Sequence, residues 1–311
     1  MRLAVTGASG FVGAAVCRAA VAQGWRVHAF GRRAAVSPGH VGGASYRSWD
    51  IAAGPLPAPP AVDAVVHCAG SVTDWGPAPA QWAVNVTGTG HVLDSFPPPI
   101  RCVHVSSASV YDPYRPSVRV TEDQAPVSRY LNAYAASKAA AEQLVRAERP
   151  DVVVLRPHAV YGPGDTTLLP RLLSAIRRGR LFAVGDGRQL VHLTGLGNLV
   201  AACLLAARVP GAGGVYNIAD AEPLSLDAAL TALLTERRLR VRVTYLPRRV
   251  VWPVVSMVEG VYRLTRRRRP PRLTRYAVSH LAYERTLDLT AARTRLGYDP
   301  AATSFEGAFD W

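Results

Sequence analysis

Lysine is almost missing from this 311-residue chain: of its 36 basic side chains, 35 are Arg and one, Lys138, is Lys. Beside frequent Ala, Gly and Pro, that skew reads as the codon usage of a GC-rich genome. The formal charge of +14 therefore says little by itself about surface function. Long apolar runs are also missing. Stretches such as Val250–Val258 and Leu199–Ala207 stop at nine residues, well short of the ~20 that a membrane-spanning helix needs. Met1-Arg2 and the apolar residues after them imitate a signal peptide, but Gly7, Gly10 and Gly13 interrupt the run and no small-residue cleavage site is clear, so the start is read as mature protein. Cysteine is scarce. Cys17, Cys68, Cys102 and Cys203 have no CxxC spacing and sit in apolar contexts, so they are expected to be small core residues rather than disulfides or metal ligands, and the cytoplasm is the expected compartment.

What is present is enough apolar material for a sizeable core: 49% hydrophobic residues at a mean hydropathy of +0.08 exclude disordered and fibrous classes. Short β-branched runs (Arg2–Val5, Arg26–Phe30, Ala44–Trp49, Ala64–His67, Arg101–Val105, Val152–Leu155) alternate with helical patterns (Ala14–Ala22, Gln81–Asp94, Ala133–Arg146). Repeated strand–helix–strand order predicts an α/β protein with a doubly wound parallel sheet and ligands at the carboxyl ends of its strands. Later the pattern thins into helices at Leu168–Arg178, Leu196–Ala207 and Leu226–Thr235. The expected division is a dinucleotide-binding domain over 1–165, to which about 185–220 returns, and a smaller substrate-binding lobe over 166–311.

The first strand runs into Gly7-Ala-Ser9-Gly10-Phe11-Val12-Gly13. In that turn Gly7 makes the tight bend, Gly10 lets backbone amides approach a pyrophosphate, and Gly13 packs helix on strand, while the helix N-terminus favours the anion. The second strand ends in Gly31-Arg32-Arg33, where an acidic residue would accept the ribose hydroxyls of NAD. No carboxylate is there to repel a 2′-phosphate and Arg32 can pair with one, so NADP(H) is expected over NAD(H). Asp50 and Ile51 follow the next strand, where they either border an adenine or form a solvated loop. Cys68-Ala69-Gly70 closes another strand with small residues, as a backbone passing close to a cofactor requires.

Lys138 lies four residues after Tyr134 in a strong helix former, so phenol and ammonium share a face. An adjacent ammonium favours phenolate, so the pair can donate and accept protons near neutrality. Val105-Ser106-Ser107-Ala108-Ser109-Val110-Tyr111 leaves a strand of the same sheet and offers hydroxyls that can bond a carbonyl oxygen as it gains charge.

With these residues in view, the chain resembles the extended branch of the short-chain dehydrogenase/reductases, the NAD-dependent epimerase/dehydratase superfamily. The resemblance rests on Thr6-Gly7-x-x-Gly10-x-x-Gly13, Asn85-Val-Thr-Gly-Thr, Ser106-Ser107-Ala-Ser-Val-Tyr111, Tyr134-x-x-x-Lys138, Leu155-Arg156-Pro157 and Tyr161-Gly-Pro-Gly-Asp165. It implies a Rossmann fold, with Ser107 orienting the carbonyl, Tyr134 as acid and base, and Lys138 gripping the nicotinamide ribose and lowering the Tyr pKa. Ser106 and Ser109 are then strand-end hydrogen bonders. Pro157 and His158 border the nicotinamide, although His158 reads equally as a structural loop residue. The dehydratases of the branch carry an Asp-Glu pair where this chain has Ala108-Ser109, which argues against dehydration.

Val72-Thr-Asp-Trp75-Gly-Pro, Leu273-Thr-Arg-Tyr276-Ala-Val and Leu296-Gly-Tyr-Asp-Pro300 look like the 3β-hydroxysteroid dehydrogenase and 3-oxoalkanoate reductase group, whose members act on ketones attached to greasy frameworks. The expected activity is therefore NADPH-dependent reduction of a hydrophobic ketone. Nucleotide-sugar epimerisation or reduction is the alternative, and the intact Ser107/Tyr134/Lys138 set argues against a sensor that binds NADP without turnover. Trp75, Tyr111 and the Trp252–Tyr262 stretch are expected to line an apolar pocket. Asp112, where Gly commonly follows Val-Tyr, and His192-Leu-Thr-Gly195, which lacks an acidic pair often found there, depart from the group near the expected substrate mouth.

Residues 237–275 hold thirteen Arg against Glu259 alone, a local +12 that leaves +2 for the rest. No nucleic-acid recognition fold accompanies them. Two readings of 250–275 stand: a peripheral patch touching anionic lipid or an acidic carrier protein, or a solvated connection whose arginine follows codon usage. The assembly is expected to be a monomer or homodimer.

Overall fold

The chain is described by a computed structural model over residues 1–267 and 269–311. Seven strands form its principal sheet: β1 (Arg2–Thr6), β2 (Arg26–Gly31), β3 (Ser45–Ser48), β4 (Ala64–His67), β5 (Arg101–Val105), β6 (Val153–Pro157) and β7 (Gly214–Ile218). Their order is β3-β2-β1-β4-β5-β6-β7, every pair parallel. The order reverses between β1 and β4, so the loops after those two strands diverge and open a crevice at the carboxyl edge. Parallel sheets are covered on both faces, and β1 shows it: Leu3 and Val5 belong to one buried cluster while Ala4 between them belongs to another.

Helices α1 (Phe11–Ala22), α2 (Ala133–Glu148) and α3 (Leu196–Arg208) supply the layers. Val16, Leu199 and Cys203 meet Leu3 and Val5 on one face, whereas Val92 and Val145 meet Ala4 and Phe30 on the other. α1 starts at Phe11, three residues before the expected Ala14, because the glycine turn passes into helix without an intervening cap side chain. The expected helix Gln81–Asp94 is a continuous helical run from Ala78 to Ser95 with a π-turn over Ala83–Thr87.

Two differences concern the later lobe. The helix from Leu168 ends at Ala175 rather than Arg178, where Arg178 and Gly179 adopt left-handed backbone and turn the chain into the strand Arg180–Val184. That strand pairs in parallel with Arg242–Leu246. The stretch after it is part helix and part connection: Arg248–Leu264 forms α4, whose Val251 and Val255 pack with Val184 and with Val278 of α5 (Arg275–Ala282), and Arg266, Arg267, Arg269 and Arg272 lie in the connection between the two helices. Glu259, the single acid of α4, faces inward and accepts from the backbone and side chain of Arg275 at 2.5 and 3.0 Å. Among the described residues no helix is long and apolar enough to cross a membrane, and the four cysteines are free.

Candidate functional site

The β1–α1 turn explains its glycines by contact. Gly7 has φ +71°, and a β carbon there would lie 2.6 Å from the backbone nitrogen of Ala69 in the loop after β4. At Gly13 it would lie 2.4 Å from the carbonyl oxygen of Gly7, so any side chain would push α1 off the strand. Gly10 occupies the N-cap of α1 and no side chain caps the helix, which leaves first-turn N–H groups for an anion in the cleft. At the end of β2, a β carbon on Gly31 would meet Ser9 Oγ at 2.6 Å and the Tyr46 hydroxyl at 2.9 Å. Arg32 and Arg33 follow, both exposed and both on the cleft wall. Asp50 accepts from Ala52 N at 3.0 Å, turning the chain after β3 so that Asp50 and Ile51 also line the cleft.

The cleft measures about 970 Å³. It runs from this turn past Cys68, Ala69 and Gly70 to Ser107, Tyr134, Lys138, Pro157 and His158, and on to an apolar end that includes Leu172, Leu226, Leu230 and Leu233. The helix that carries Tyr134 and Lys138 is built to start where it does. Asn132 caps it, accepting from Ala135 N at 2.9 Å, and Tyr134, Ser137, Lys138 and Glu142 share its buried face. Lys138 Nζ donates to the carbonyl oxygen of Val105 at 2.8 Å. Burial pulls its pKa down to about 8, with the Glu142 carboxylate acting the other way. Burial pushes the Tyr134 phenol above its ordinary value, partly offset by the neighbouring Ser107 and Ser109 hydroxyls. The spacing argument expected the ammonium to lower that phenol. Desolvation of the phenol dominates instead, and the ammonium is committed to a backbone carbonyl.

The three serines separate in role. Ser106 Oγ donates to Glu142 Oε1 at 2.5 Å, and the same carboxylate pairs with Arg156 at 2.7 Å, the pair being fully buried. Ser107 Oγ accepts from Ser109 N at 3.1 Å, bracing a single turn over Ala108–Val110, and lines the cleft. Ser109 Oγ is buried with no partner in good hydrogen-bond geometry, yet lies close enough to Tyr134 and Tyr276 for either phenol to turn onto it.

His158 lines the cleft and is fixed on both nitrogens. Nδ1 faces the His192 carbonyl at 2.6 Å and so carries the proton, which leaves Nε2 to accept from His280 Nδ1 at 3.0 Å. His280 stacks on His158 and packs against Tyr276, whose ring stands edge-on to Tyr134 with centroids 6.3 Å apart. Tyr276 and His280 enter from α5, 142 residues after Tyr134, so periodicity gave no sign that they face the same space; the Leu273-Thr-Arg-Tyr276 stretch was the available signal. Asn85, which the sequence presents only as the start of the Asn85-Val-Thr-Gly-Thr motif, also belongs to the site. It bonds both the N–H and the carbonyl of Ser71, at 2.7 and 3.1 Å, and donates to Ser137 Oγ at 2.9 Å, pinning the loop beside Lys138.

Two residues and one stretch expected to line the pocket lie outside it. The Tyr111 hydroxyl donates to Asn217 Oδ1 at 2.7 Å and accepts from Arg156 at 3.1 Å in the core, away from the cleft. Trp75 packs edge-on against Tyr262, and its indole N–H donates to the Arg267 carbonyl at 3.1 Å. The Trp252–Tyr262 stretch lies on α4, outside the lining, because α5 stands between it and the cleft.

A glycine turn at a sheet reversal, with a serine, a tyrosine and a lysine at the carboxyl edge, defines an oxidoreductase of the short-chain dehydrogenase/reductase type. The chain belongs to the NAD dependent epimerase/dehydratase family, whose sequence pattern matches residues 3–219. It is 33% identical to the 2-alkyl-3-oxoalkanoate reductase of Stenotrophomonas maltophilia, covering 99% of this chain and 97% of that one. It is 34% identical to the 4-hydroxy-2-methyl-3-oxo-4-farnesyl-3,4-dihydroquinoline-1-oxide ketoreductase of Stigmatella aurantiaca, over 99% and 94%. Among solved structures, MoeE5 in complex with UDP-glucose and NAD superposes with a TM-score of 0.72 at 25% identity, covering 98% of this chain and 94% of that chain. UDP-glucuronic acid 4-epimerase from Bacillus cereus shares the fold with a TM-score of 0.74 at 20% identity, over 100% and 97%.

Proposed function

We propose that the protein is an NADPH-dependent ketoreductase acting on a ketone carried by an apolar framework. The observation that carries this reading is the continuity of the cleft from the Gly7–Gly13 turn, past Tyr134 and Ser107, into a leucine-lined end. Nicotinamide, when bound, supplies the hydride. Gly10, Arg32 and Asp50 hold the dinucleotide along the carboxyl edge, and Lys138 grips its nicotinamide ribose. The Ser107 hydroxyl donates to the substrate carbonyl and fixes its direction, while Tyr134 gives its proton as that oxygen becomes an alkoxide. A phenol held above its ordinary pKa by burial stays protonated at neutral pH, and proton transfer from it to an alkoxide is downhill. The two relatives named above are reductases of ketones on alkyl or farnesyl-bearing frameworks by name, which supports the substrate class.

The nucleotide-sugar alternative needs free cations at the substrate end for a diphosphate. Of the two arginines toward that end of the cleft wall, Arg171 is already paired with Asp74 at 2.8 Å, which leaves Arg272 as the one without an acidic partner among the described residues, and Leu172, Leu226, Leu230 and Leu233 beyond them offer a sugar no side-chain hydrogen bonds. The test is loss of NADPH absorbance over a panel of hydrophobic 3-oxo compounds and UDP-sugars. Turnover is expected with the former, and Tyr134→Phe should lose ~10²-fold or more in kcat, the usual contribution of a positioned proton donor. Turnover of UDP-sugars alone, or a Tyr134→Phe protein that consumes NADPH at the wild-type rate, sinks the reading.

A further inference from the structure

Helix α4 buries one face and leaves the other without a partner. Val250, Val254, Met257, Val261 and Leu264 repeat at steps of four, three, four and three, which places them in a single stripe along the helix. All five are exposed, Met257 to 66% and Leu264 to 84%. Arg248 and Arg249 stand at the start of the stripe, and Arg263, Arg266, Arg267, Arg269 and Arg272 at and beyond its end. Of these only Arg263 has an acidic partner, Glu259 at 3.6 Å, among the described residues. Glu259 itself is turned into the protein onto Arg275. The outer face of α4 is therefore apolar along its length, basic at both ends and free of negative charge.

We infer that this face is a docking surface for an anionic lipid bilayer, with α4 lying in the plane of the interface. An in-plane amphipathic helix sinks its apolar stripe to the level of the acyl boundary and keeps its arginines among the phosphates. Charge decides between occupants. A second copy of the chain would bring the same arginines together with no carboxylate to answer them, whereas an anionic bilayer supplies the missing charge along the whole helix. The position of α4 gives the contact a use: it packs on α5, which carries the cleft-lining Tyr276 and His280. Its C-terminal end also holds the Val72–Trp75 loop through Tyr262 and the Arg267 carbonyl, and Val72, 60% exposed, stands on the cleft wall. The cleft thus opens beside the docking face. Entry of an apolar substrate from the bilayer rests on the ketone reading above; lipid binding does not.

The test is co-sedimentation of the full-length protein with vesicles of phosphatidylcholine, alone or mixed with phosphatidylglycerol, at low and high salt. The protein should sediment with the anionic vesicles, weakly with the neutral ones, and less at high salt. Met257→Glu combined with Leu264→Glu should weaken anionic-vesicle binding by roughly tenfold or more, since two apolar anchors are replaced by charges. The same variant should keep the wild-type thermal midpoint and its reduction rate on a short soluble ketone, because both side chains are exposed and outside the cleft. Recovery in the supernatant with every vesicle overturns the proposal, as does equal binding by wild type and variant. A stable wild-type dimer in light scattering that the variant converts to monomer also overturns it, by assigning the stripe to a second copy.

Discussion

The ammonium of Lys138 and the carbonyl oxygen of Val105 are joined at 2.8 Å, tying the middle of α2 to the end of β5. The residues after Val105 are Ser106 and Ser107, and Tyr134 is one turn back along α2, so this bond sets the distance between the phenol and the serine turn. The burial that positions the ammonium also holds its pKa near 8. In the unfolded chain it titrates near 10.5. The folded state therefore binds fewer protons between those values, and Lys138 costs stability below about pH 8, a cost that fades as pH rises toward 10.5. Lys138→Met is expected to raise stability at neutral pH by about 1–3 kcal/mol, seen as a higher thermal midpoint, while weakening NADPH binding and removing its alkaline decline near pH 8. A variant that loses both stability and affinity contradicts this account.

Glu142 and Arg156 form a second buried link, and theirs answers to stability. Glu142 Oε1 accepts from Ser106, and both oxygens face the Arg156 guanidinium, which also donates to the Glu122 carbonyl at 2.7 Å. Removing one partner leaves the other as an uncompensated charge, so Glu142→Gln should cost about 3–5 kcal/mol in denaturant unfolding. Glu142→Leu with Arg156→Met should recover part of that loss. If the single and double variants are equally unstable, packing rather than charge is what the pair provides.

Arg32 and Arg33 are exposed at the end of β2, where a carboxylate would select for ribose hydroxyls. Arg32→Ala should raise the Kd for NADPH by about tenfold, ~1.4 kcal/mol, and leave NADH unchanged. Because the site is open to solvent, the difference should shrink at high salt. Isothermal titration with both cofactors checks it, and an unchanged NADPH affinity would pass the role to Arg33.

The cofactor half was legible because each requirement there is local. Gly7, Gly13, Tyr134 and Lys138 announce themselves by spacing within one turn or one helix, and α/β alternation places them. The substrate half was not, because its geometry is made by distant segments. Tyr276 and His280 reach the cleft only through the packing of α5 under α4. Trp75 and Tyr111 have the composition of pocket residues, yet each spends its polar atom elsewhere, on the Arg267 carbonyl and on Asn217. Aromatic residues satisfy a core and a pocket alike, so sequence could not divide them. The arginine segment divides: the period of Val251, Val255 and Glu259 on the buried side makes 248–264 a helix, while Arg266, Arg267, Arg269 and Arg272 lie in the connection from α4 to α5.

The histidines predict acid lability. His67 is bonded through Nδ1 to Thr6 and through Nε2 to Thr89, at 2.7 and 3.0 Å, and burial brings its pKa down to about 3. His158 and His192 are both pulled down to about 4, again chiefly by burial. Each stays neutral in the folded protein while its unfolded counterpart takes a proton below about 6.5, so the unfolded state binds more protons through the window from about 6.5 to 4. Stability must then fall as pH drops through that window. Near pH 5 three such groups correspond to a slope of ~4 kcal/mol per pH unit, large against the ~5–15 kcal/mol that holds a typical domain together. Asp63 and Asp288 do not add to the fall at that pH, since Arg2 and Thr290 hold their carboxyls below the ordinary value. Urea unfolding at a series of pH values from 7 to 5 should show the midpoint falling steeply once pH passes 6.5, and a midpoint that holds until pH 4 would mean these imidazoles are solvated or already charged in the folded state.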